Sequence, residues 1–563
     1  MKMSCFLALI AHCCLAQNSY PTDYFRSPLD ILLTISGNFG ELRSNHFHAG
    51  LDFRTEQREN MNIYAAADGY VSRIKISSFG YGKAIYISHP NGYTTVYGHL
   101  NRGNAAIEKY IKTQHYKERS FEIDVFPKPN ELVVSKGDFI ALSGNTGGSG
   151  GPHLHFEIRD SKTEKTINPL HFGFNQKMPD SRLPQLNAIM VYPISENAVV
   201  NESQQPIAVN LSLQKDGTYL SEKIRAIGKI GFSINAYDLI DKSYSKNGLY
   251  KVQSFNNGKP TFGYQFDTFS FDEGKHINGL LDYPRFIATG SRFQKLFAKN
   301  LYNLSILQTN ADNGIINVVP NLSQNYRIEI SDFNDNKIVI NIPIIYDTNK
   351  ITAGSLTQKT KFNVKSKIDN IYSKENVTVN VPANTFYEDL FLKFEVKNDT
   401  LTFADKKVAV QNSVLVNFEK FIESDKKSKT FIATLDGNKI IYNKTKNKEN
   451  EYSCYTKNLG TLFLKQDLDK PLIFSVNIPK DKIISKQKTV DIGINDTLSG
   501  IKEYNGFING EWVLFEYDFK VKKMYYYLSD GLVKEGNNDL KVVVTDNVGN
   551  SAIFETSFVY KIP

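Results

Sequence analysis

Apolar and polar positions alternate along most of this chain, in short runs separated by turn residues. Val377-Thr378-Val379-Asn380-Val381 and Leu540-Lys541-Val542-Val543-Val544-Thr545 show the pattern, and Asn256-Asn257-Gly258 and Glu535-Gly536-Asn537-Asn538 read as turns between such runs. Successive side chains of a strand point to opposite faces, so period-two alternation predicts strands with one face buried. From about residue 180 to 563 this is the dominant pattern, and many short strands with regular turns predict β-sandwiches. The fold class expected is mainly β, with an N-terminal antiparallel sheet domain followed by about three sandwiches. The expected divisions are 17–178, with an insertion at about 101–132, then 183–347, 348–479 and 480–563, with a further insertion near 271–310. Helical spacing stands out in Ala105-Ala106-Ile107-Glu108-Lys109-Tyr110-Ile111-Lys112, and Phe121-Glu122-Ile123-Asp124-Val125-Phe126 reads as a strand. Both lie in the 101–132 insertion, which reads equally as a wall of a substrate groove or as a solvated decoration.

The N-terminus breaks the β pattern. Phe6-Leu7-Ala8-Leu9-Ile10-Ala11 is apolar behind Lys2, and Cys14-Leu15-Ala16 ends on a small residue. This predicts an export signal over 1–16 with cleavage after Ala16, and a mature protein outside the cytoplasm. His12 before Cys13 and Cys13 before Cys14 are poor lipidation contexts. Cys5, Cys13 and Cys14 leave with the signal, so Cys454 stands alone and no intramolecular disulfide is expected. The formal charge is +8 at pH 7 with lysines scattered among acids, which argues against a nucleic-acid partner.

Candidate chemistry gathers in the first third. In Gly151-Pro152-His153-Leu154-His155-Phe156-Glu157 the alternation predicts a half-buried strand, with His153 and His155 on one face and Glu157 beyond them. His48 and Asp52 are four apart in His48-Ala49-Gly50-Leu51-Asp52. A straight strand would separate them by about 13 Å, too far to grip one ion, so a bend at Gly50 is expected. Two imidazoles and a carboxylate make the three-ligand set of a catalytic zinc site, which keeps one position for water. The chain has no His-Glu-x-x-His, so a histidine must act as base, and His153 and His99 are the candidates. His46 could compete as a ligand, whereas His12, His89, His115, His171 and His276 read as surface or satisfied core residues.

These residues resemble the M23 family of zinc metallopeptidases, the lysostaphin-type peptidoglycan endopeptidases. The likeness runs from about Phe39 to Pro169. It takes in Arg43, Ala65-Ala66-Ala67-Asp68-Gly69-Tyr70-Val71, Gly80-Tyr81-Gly82, Pro90-Asn91-Gly92, Tyr97-Gly98-His99-Leu100, Lys136-Gly137-Asp138 and Gly144-Asn145-Thr146-Gly147. The resemblance implies that His48, Asp52 and His155 bind Zn2+, and that His99 and His153 are the catalytic histidines. It implies peptidoglycan stem peptides as substrate. All five positions are filled, which speaks against the family's degenerate activators. Two rival readings keep the same residues: an envelope scaffold whose site is dead or masked by its sandwiches, and a peptidase acting on proteins.

A faint repeat marks the downstream region. Tyr326–Ser331 leads into Asp332-Phe333-Asn334-Asp335-Asn336, and Leu540–Thr545 leads into Asp546-Asn547-Val548-Gly549-Asn550. Each resembles the closing hairpin of immunoglobulin-like domains, with Asp and Asn capping the turn. Calcium is a weak reading of these carboxylates, because too few oxygens are gathered in the sequence. The single Trp512 reads as a core residue rather than a sugar-stacking platform.

Overall fold

The His-x-His segment forms one of the inner strands of a seven-strand path. In the computed structural model, which describes residues 20–348, 351–354 and 359–562, this path comprises β1 (Ile35–Gly37), β2 (Leu51–Arg54), β3 (Gly69–Ile76), β4 (Lys83–Ser88), β5 (Tyr93–Gly98), β6 (Ile123–Val125) and β7 (His153–Asp160). Its order is β1-β2-β7-β5-β4-β3-β6, antiparallel throughout. The expected signal over 1–16 lies outside the described residues. Among the described residues no helix is long and apolar enough to cross a membrane.

β7 is buried on both faces rather than half-buried as its alternation predicts. Leu154, Phe156 and Ile158 enter the apolar core, while His155, Glu157 and Arg159 are buried on the other face. That face tolerates burial because its polar groups satisfy one another. Glu157 accepts hydrogen bonds from Arg159 Nε and Tyr81, and its Oε1 lies 2.7 Å from His155 Nε2. The insertion forms α1 (Ala105–Glu118), capped where Asn104 Oδ1 accepts from the Ile107 amide, and β6, which extends the sheet edge beside β3.

Residues 17–178 and 183–347, expected as separate domains, share one apolar core running from Phe25 to Ile344. The sheets are joined as well. β8 (Thr166–Ile167) pairs with β7 on one side and with β9 (Thr268–Phe269) on the other. Phe47 and Phe39 meet Phe266 and Phe269, with ring centroids 4.9–5.7 Å apart. The stretch 271–289 is largely helical, with short helices at Phe271–His276, Ile277–Leu280 and Tyr283–Thr289.

Beyond residue 359, two five-stranded sheets enclose a separate core that includes buried, unpaired Cys454. A four- and a five-stranded sheet enclose a third core over about 472–560. This last sandwich folds back onto the first domain across a separation of 433 residues, where Lys83 Nζ reaches both Glu516 oxygens at 2.9 Å. Lys112 pairs with Asp530 at 3.0 Å, Phe79 stacks near Phe519, and α1 presents Tyr116 edge-on to Trp512. Trp512 is half-buried at that junction, its indole N–H donating to Asn505.

Candidate metal centre and active site

Register builds the site. His155 lies directly opposite Asp52 of β2 and opposite Gly98 of β5, so the strand pairing itself delivers the carboxylate and the residue preceding His99. His48 sits just before β2. Its loop is fixed by the amide of Gly40 donating to the His48 carbonyl and by Phe47 buried against Phe266. Gly50 is needed for a reason other than the expected backbone freedom. Its φ is not in the left-handed region, but a Cβ there would lie 2.2 Å from the Phe156 carbonyl oxygen. Close approach of the loop to β7 brings His48 to Asp52.

The three atoms form a near-equilateral triangle. His48 Nε2 lies 3.0 Å from His155 Nδ1, and each lies 2.9 Å from Asp52 Oδ1. Protonation states follow from the outer partners, since a carbonyl only accepts. His48 Nδ1 donates to the Asn38 carbonyl at 2.7 Å, so Nε2 is the nitrogen that faces inward. His155 is turned the other way, with Nε2 on Glu157 and Nδ1 inward. With both inner nitrogens deprotonated, two lone pairs and a carboxylate oxygen would converge on one point. Such an arrangement fits a cation with N/O ligands, and orienting partners of this kind fix ligand tautomers in metal sites.

Electrostatics agree. Burial pushes the Asp52 carboxyl up, but the His48 charge and hydrogen bonds from His153 and His155 outweigh it and hold it well below the usual range. Arg43 adds a 2.7 Å contact to Asp52 Oδ2. Burial pulls His155 down, yet Asp52 and Glu157 together raise it to about 9: without a metal, a proton takes the cationic place.

His99 and His153 face each other with ring centroids 4.7 Å apart. His99 has a left-handed backbone (φ 59°), a strained conformation kept by its surroundings. Its Nδ1 donates to the Thr146 carbonyl at 2.9 Å, and burial followed by its histidine neighbours pushes its pKa down to about 3, so it is a neutral acceptor. His153 Nδ1 donates to the Gly151 carbonyl at 2.8 Å, and its Nε2 lies 3.4 Å from Asp52 Oδ1. His48, Asp52, His99 and His155 are buried and His153 is half-exposed, so His153 marks the open side. The turn carrying Thr146 is held by Gly147, where a Cβ would meet the Gly82 amide at 2.3 Å.

The structure therefore brings His48, Asp52, His99, His153 and His155 to one place. His46 is not among them: it is exposed, with Nδ1 on the Ser44 carbonyl. His89 and His115 are buried on carbonyl and hydroxyl partners, and His171 pairs with Asp267. Sequence reasoning missed the carbonyls of Asn38, Thr146 and Gly151, which carry no side-chain signature. It also missed the Tyr81–Glu157–Arg159 chain behind His155, for which the alternation of β7 was the available signal.

Residues 46–116 match the profile of Peptidase family M23. The N-terminal domain is thus similar to peptidase family M23. Over 123 residues the chain is 32% identical to an uncharacterized metalloprotease of Haemophilus influenzae, covering 22% of this chain and 20% of that one. Over 129 residues it is 32% identical to the DD-carboxypeptidase/endopeptidase Mpg of Neisseria meningitidis, covering 23% of each. Over 141 residues it is 33% identical to the peptidoglycan DD-endopeptidase ShyC of Vibrio cholerae, covering 24% and 26%. The matched stretch thus spans about a quarter or less of these relatives' own length. Among solved structures, a zinc-containing peptidase from Vibrio cholerae is 25% identical over 26% of this chain and 39% of that chain, with a TM-score of 0.20. Residues 360–467, within the middle β unit, match a Zu5-like domain profile. The M23-like stretch accordingly resembles metallopeptidases, in a chain that is mainly β.

Proposed function

We propose that this protein is a zinc-dependent endopeptidase that hydrolyses peptide cross-links of bacterial peptidoglycan and works in the cell envelope, outside the cytoplasm. The observation that carries the reading is the convergence of two imidazole nitrogens and one carboxylate oxygen within 3.0 Å. His48, Asp52 and His155 would hold the ion. When bound, zinc would polarise the scissile carbonyl and acidify a water. His99, kept neutral by burial, offers Nε2 as acceptor for a proton or for orienting a nucleophile. His153, on the open side, is placed to move a proton and to donate to a developing oxyanion. The name of the Vibrio relative, a peptidoglycan DD-endopeptidase, supports peptidoglycan as the substrate class. Purified protein incubated with cross-linked muropeptide dimers is expected to release monomers, with the release abolished by a chelator and restored by zinc. His99→Ala and His153→Ala should each lower kcat/KM by about 10²–10⁴-fold without loss of bound zinc. Chelator-insensitive cleavage, or none on any muropeptide, overturns the reading.

A second reading is favoured by one contact: the last sandwich restrains the turn that orients both catalytic candidates. Lys520 Nζ donates to the carbonyls of Asn145 and Ser149, flanking Thr146 and preceding Gly151. In this reading the 480–563 unit holds the M23 domain in a masked state. Hydrogen bonds from a charged donor contribute about 1.5–3 kcal/mol. Lys520→Ala combined with Glu516→Lys, which sets like charges against Lys83, is then expected to raise kcat/KM on muropeptides by about tenfold or more. Unchanged activity would show that the docked sandwich leaves the site open.

A further inference from the structure

The strongest unassigned cluster lies where the M23 domain meets the unit that follows it. Asp180 comes from the connection between them, Asp238 directly follows the strand Ile224–Tyr237, and Asp332 directly follows the strand Gln324–Ser331. One carboxylate oxygen from each lies within 4.8 Å of the others. None of the three forms an ion pair with Lys, Arg or His among the described residues. The decisive feature is Asp238: its side chain is 4% exposed, and its Oδ1 is buried with no hydrogen-bond partner. The other two carboxylates do accept backbone amides. Asp180 Oδ1 takes those of Arg182 and Asp241, and Asp332 Oδ1 takes those of Asn334 and Asn336. A cavity of about 30 Å³ opens beside the cluster, and Asn175 and Asn334 line it with the three acids.

A buried carboxylate oxygen without a donor, facing two more carboxylates, is costly unless something positive joins it. Burial and the neighbouring acids push Asp238 up to about 8, and burial pushes Asp332 to about 6, the direction that cost dictates. The chain itself offers a comparison. Asp467, Asp496 and Asp546 form a similar cluster in the last sandwich, and Asp546 with Asn550 repeats the hydrogen bonds of Asp332 with Asn336. There, however, Asp467 accepts the amides of Asp469 and Ser499, Asp496 those of Leu498 and Gly500, and Asp546 those of Val548 and Asn550. Backbone donors serve all three acids of that cluster, whereas Asp238 keeps an orphan oxygen.

We infer that Asp180, Asp238 and Asp332 form a calcium site that rivets the M23 domain to the unit behind it. The donors are all oxygens, from separate chain segments, with amide oxygens and room for water at hand. Calcium takes six to eight such ligands in irregular geometry, whereas zinc favours nitrogen and sulfur and magnesium demands a tight octahedron. The site would bear on the metal centre through Asn38. Its side chain exchanges hydrogen bonds with Gly248 of the second unit, while its carbonyl orients His48. The inference is independent of what the M23 domain hydrolyses.

The test uses the full chain, dialysed into calcium-free, zinc-supplemented buffer and titrated with CaCl2 by calorimetry and by thermal melting. The expected result is one saturable binding event removed by Asp238→Asn, together with a Tm increase of several degrees that this variant does not show. Without calcium and above pH 8, where wild-type Asp238 ionises, Asp238→Asn should melt above wild type, because one buried anion is gone. Asp180→Asn, at the half-buried member, should weaken binding and serves if Asp238→Asn fails to fold. No calcium response in wild type overturns the site and leaves a cluster neutralised by shared protons. An equal response in Asp238→Asn places any binding elsewhere, and an equal Tm shift with MgCl2 removes the assignment to calcium.

Discussion

Asp52→Asn is expected to abolish zinc retention and to lower kcat/KM on muropeptides by more than about 10²-fold, with the chain still folded. The size of the effect follows from geometry. Asp52 Oδ1 lies 2.9 Å from His48 Nε2, 2.9 Å from His155 Nδ1 and 3.4 Å from His153 Nε2, so one oxygen serves both candidate ligands and one candidate proton carrier. Removing an outer-shell partner costs about 10–100-fold in metal affinity, and loss of a ligand should exceed that. Asparagine preserves size but removes the anion that offsets a bound cation, and it leaves Arg43 with Glu41 as its remaining carboxylate partner. Fold survival is expected because neither the β2–β7 register nor the apolar face formed by Leu51, Phe53, Leu154 and Phe156 changes. Bound zinc by elemental analysis, beside far-ultraviolet circular dichroism, checks both halves. Near-wild-type cleavage with zinc retained would remove Asp52 from the ligand set.

The residues that meet here were legible because their spacing belongs to local structure. The period of two put His153 and His155 on one face, and antiparallel pairing put Asp52 opposite His155. Helical spacing in Ala105–Lys112 and alternation in Phe121–Phe126 likewise correspond to α1 and β6. Three kinds of information were not legible. Carbonyl groups that set histidine tautomers belong to the backbone and leave no mark on residue identity. The double burial of β7 depends on Tyr81 and Arg159 closing over Glu157, a tertiary event that alternation cannot report. Contacts across hundreds of residues, such as Lys83 with Glu516 or Asp180 with Asp332, join charged side chains that read as solvated in sequence. Gly50 shows the difference in miniature: a glycine expected for its backbone angle is there because β7 passes too close for a Cβ.

Arg159→Met is expected to destabilise the M23 domain by about 3–5 kcal/mol, the cost of leaving a buried charge without its partner. Glu157 is fully buried, and Arg159 Nε donates to it at 2.7 Å while the guanidinium lies over Tyr86 and Phe271. Methionine would fill the space between those rings but strand the carboxylate. Burial raises Glu157, yet the Arg159 charge and the His155 hydrogen bond dominate and bring it down to about 2 from its ordinary 4.5. A carboxyl lowered on folding contributes stability that is complete above about pH 4.5 and is lost as pH falls toward 2. Wild type should therefore lose stability across that window in urea titrations, and Arg159→Met should lose less there, having less to lose. Glu157→Gln would strand Arg159 instead, whereas the double variant Glu157→Gln/Arg159→Met removes both charges. It should recover most of the stability, because buried ion pairs replaced by apolar groups are often neutral. Its zinc affinity should still fall by about 10–100-fold, since His155 Nε2 no longer faces a carboxylate. Recovery of stability without recovery of zinc affinity would separate the structural role of the pair from its role in orienting His155; recovery of both would confine Glu157 to structure.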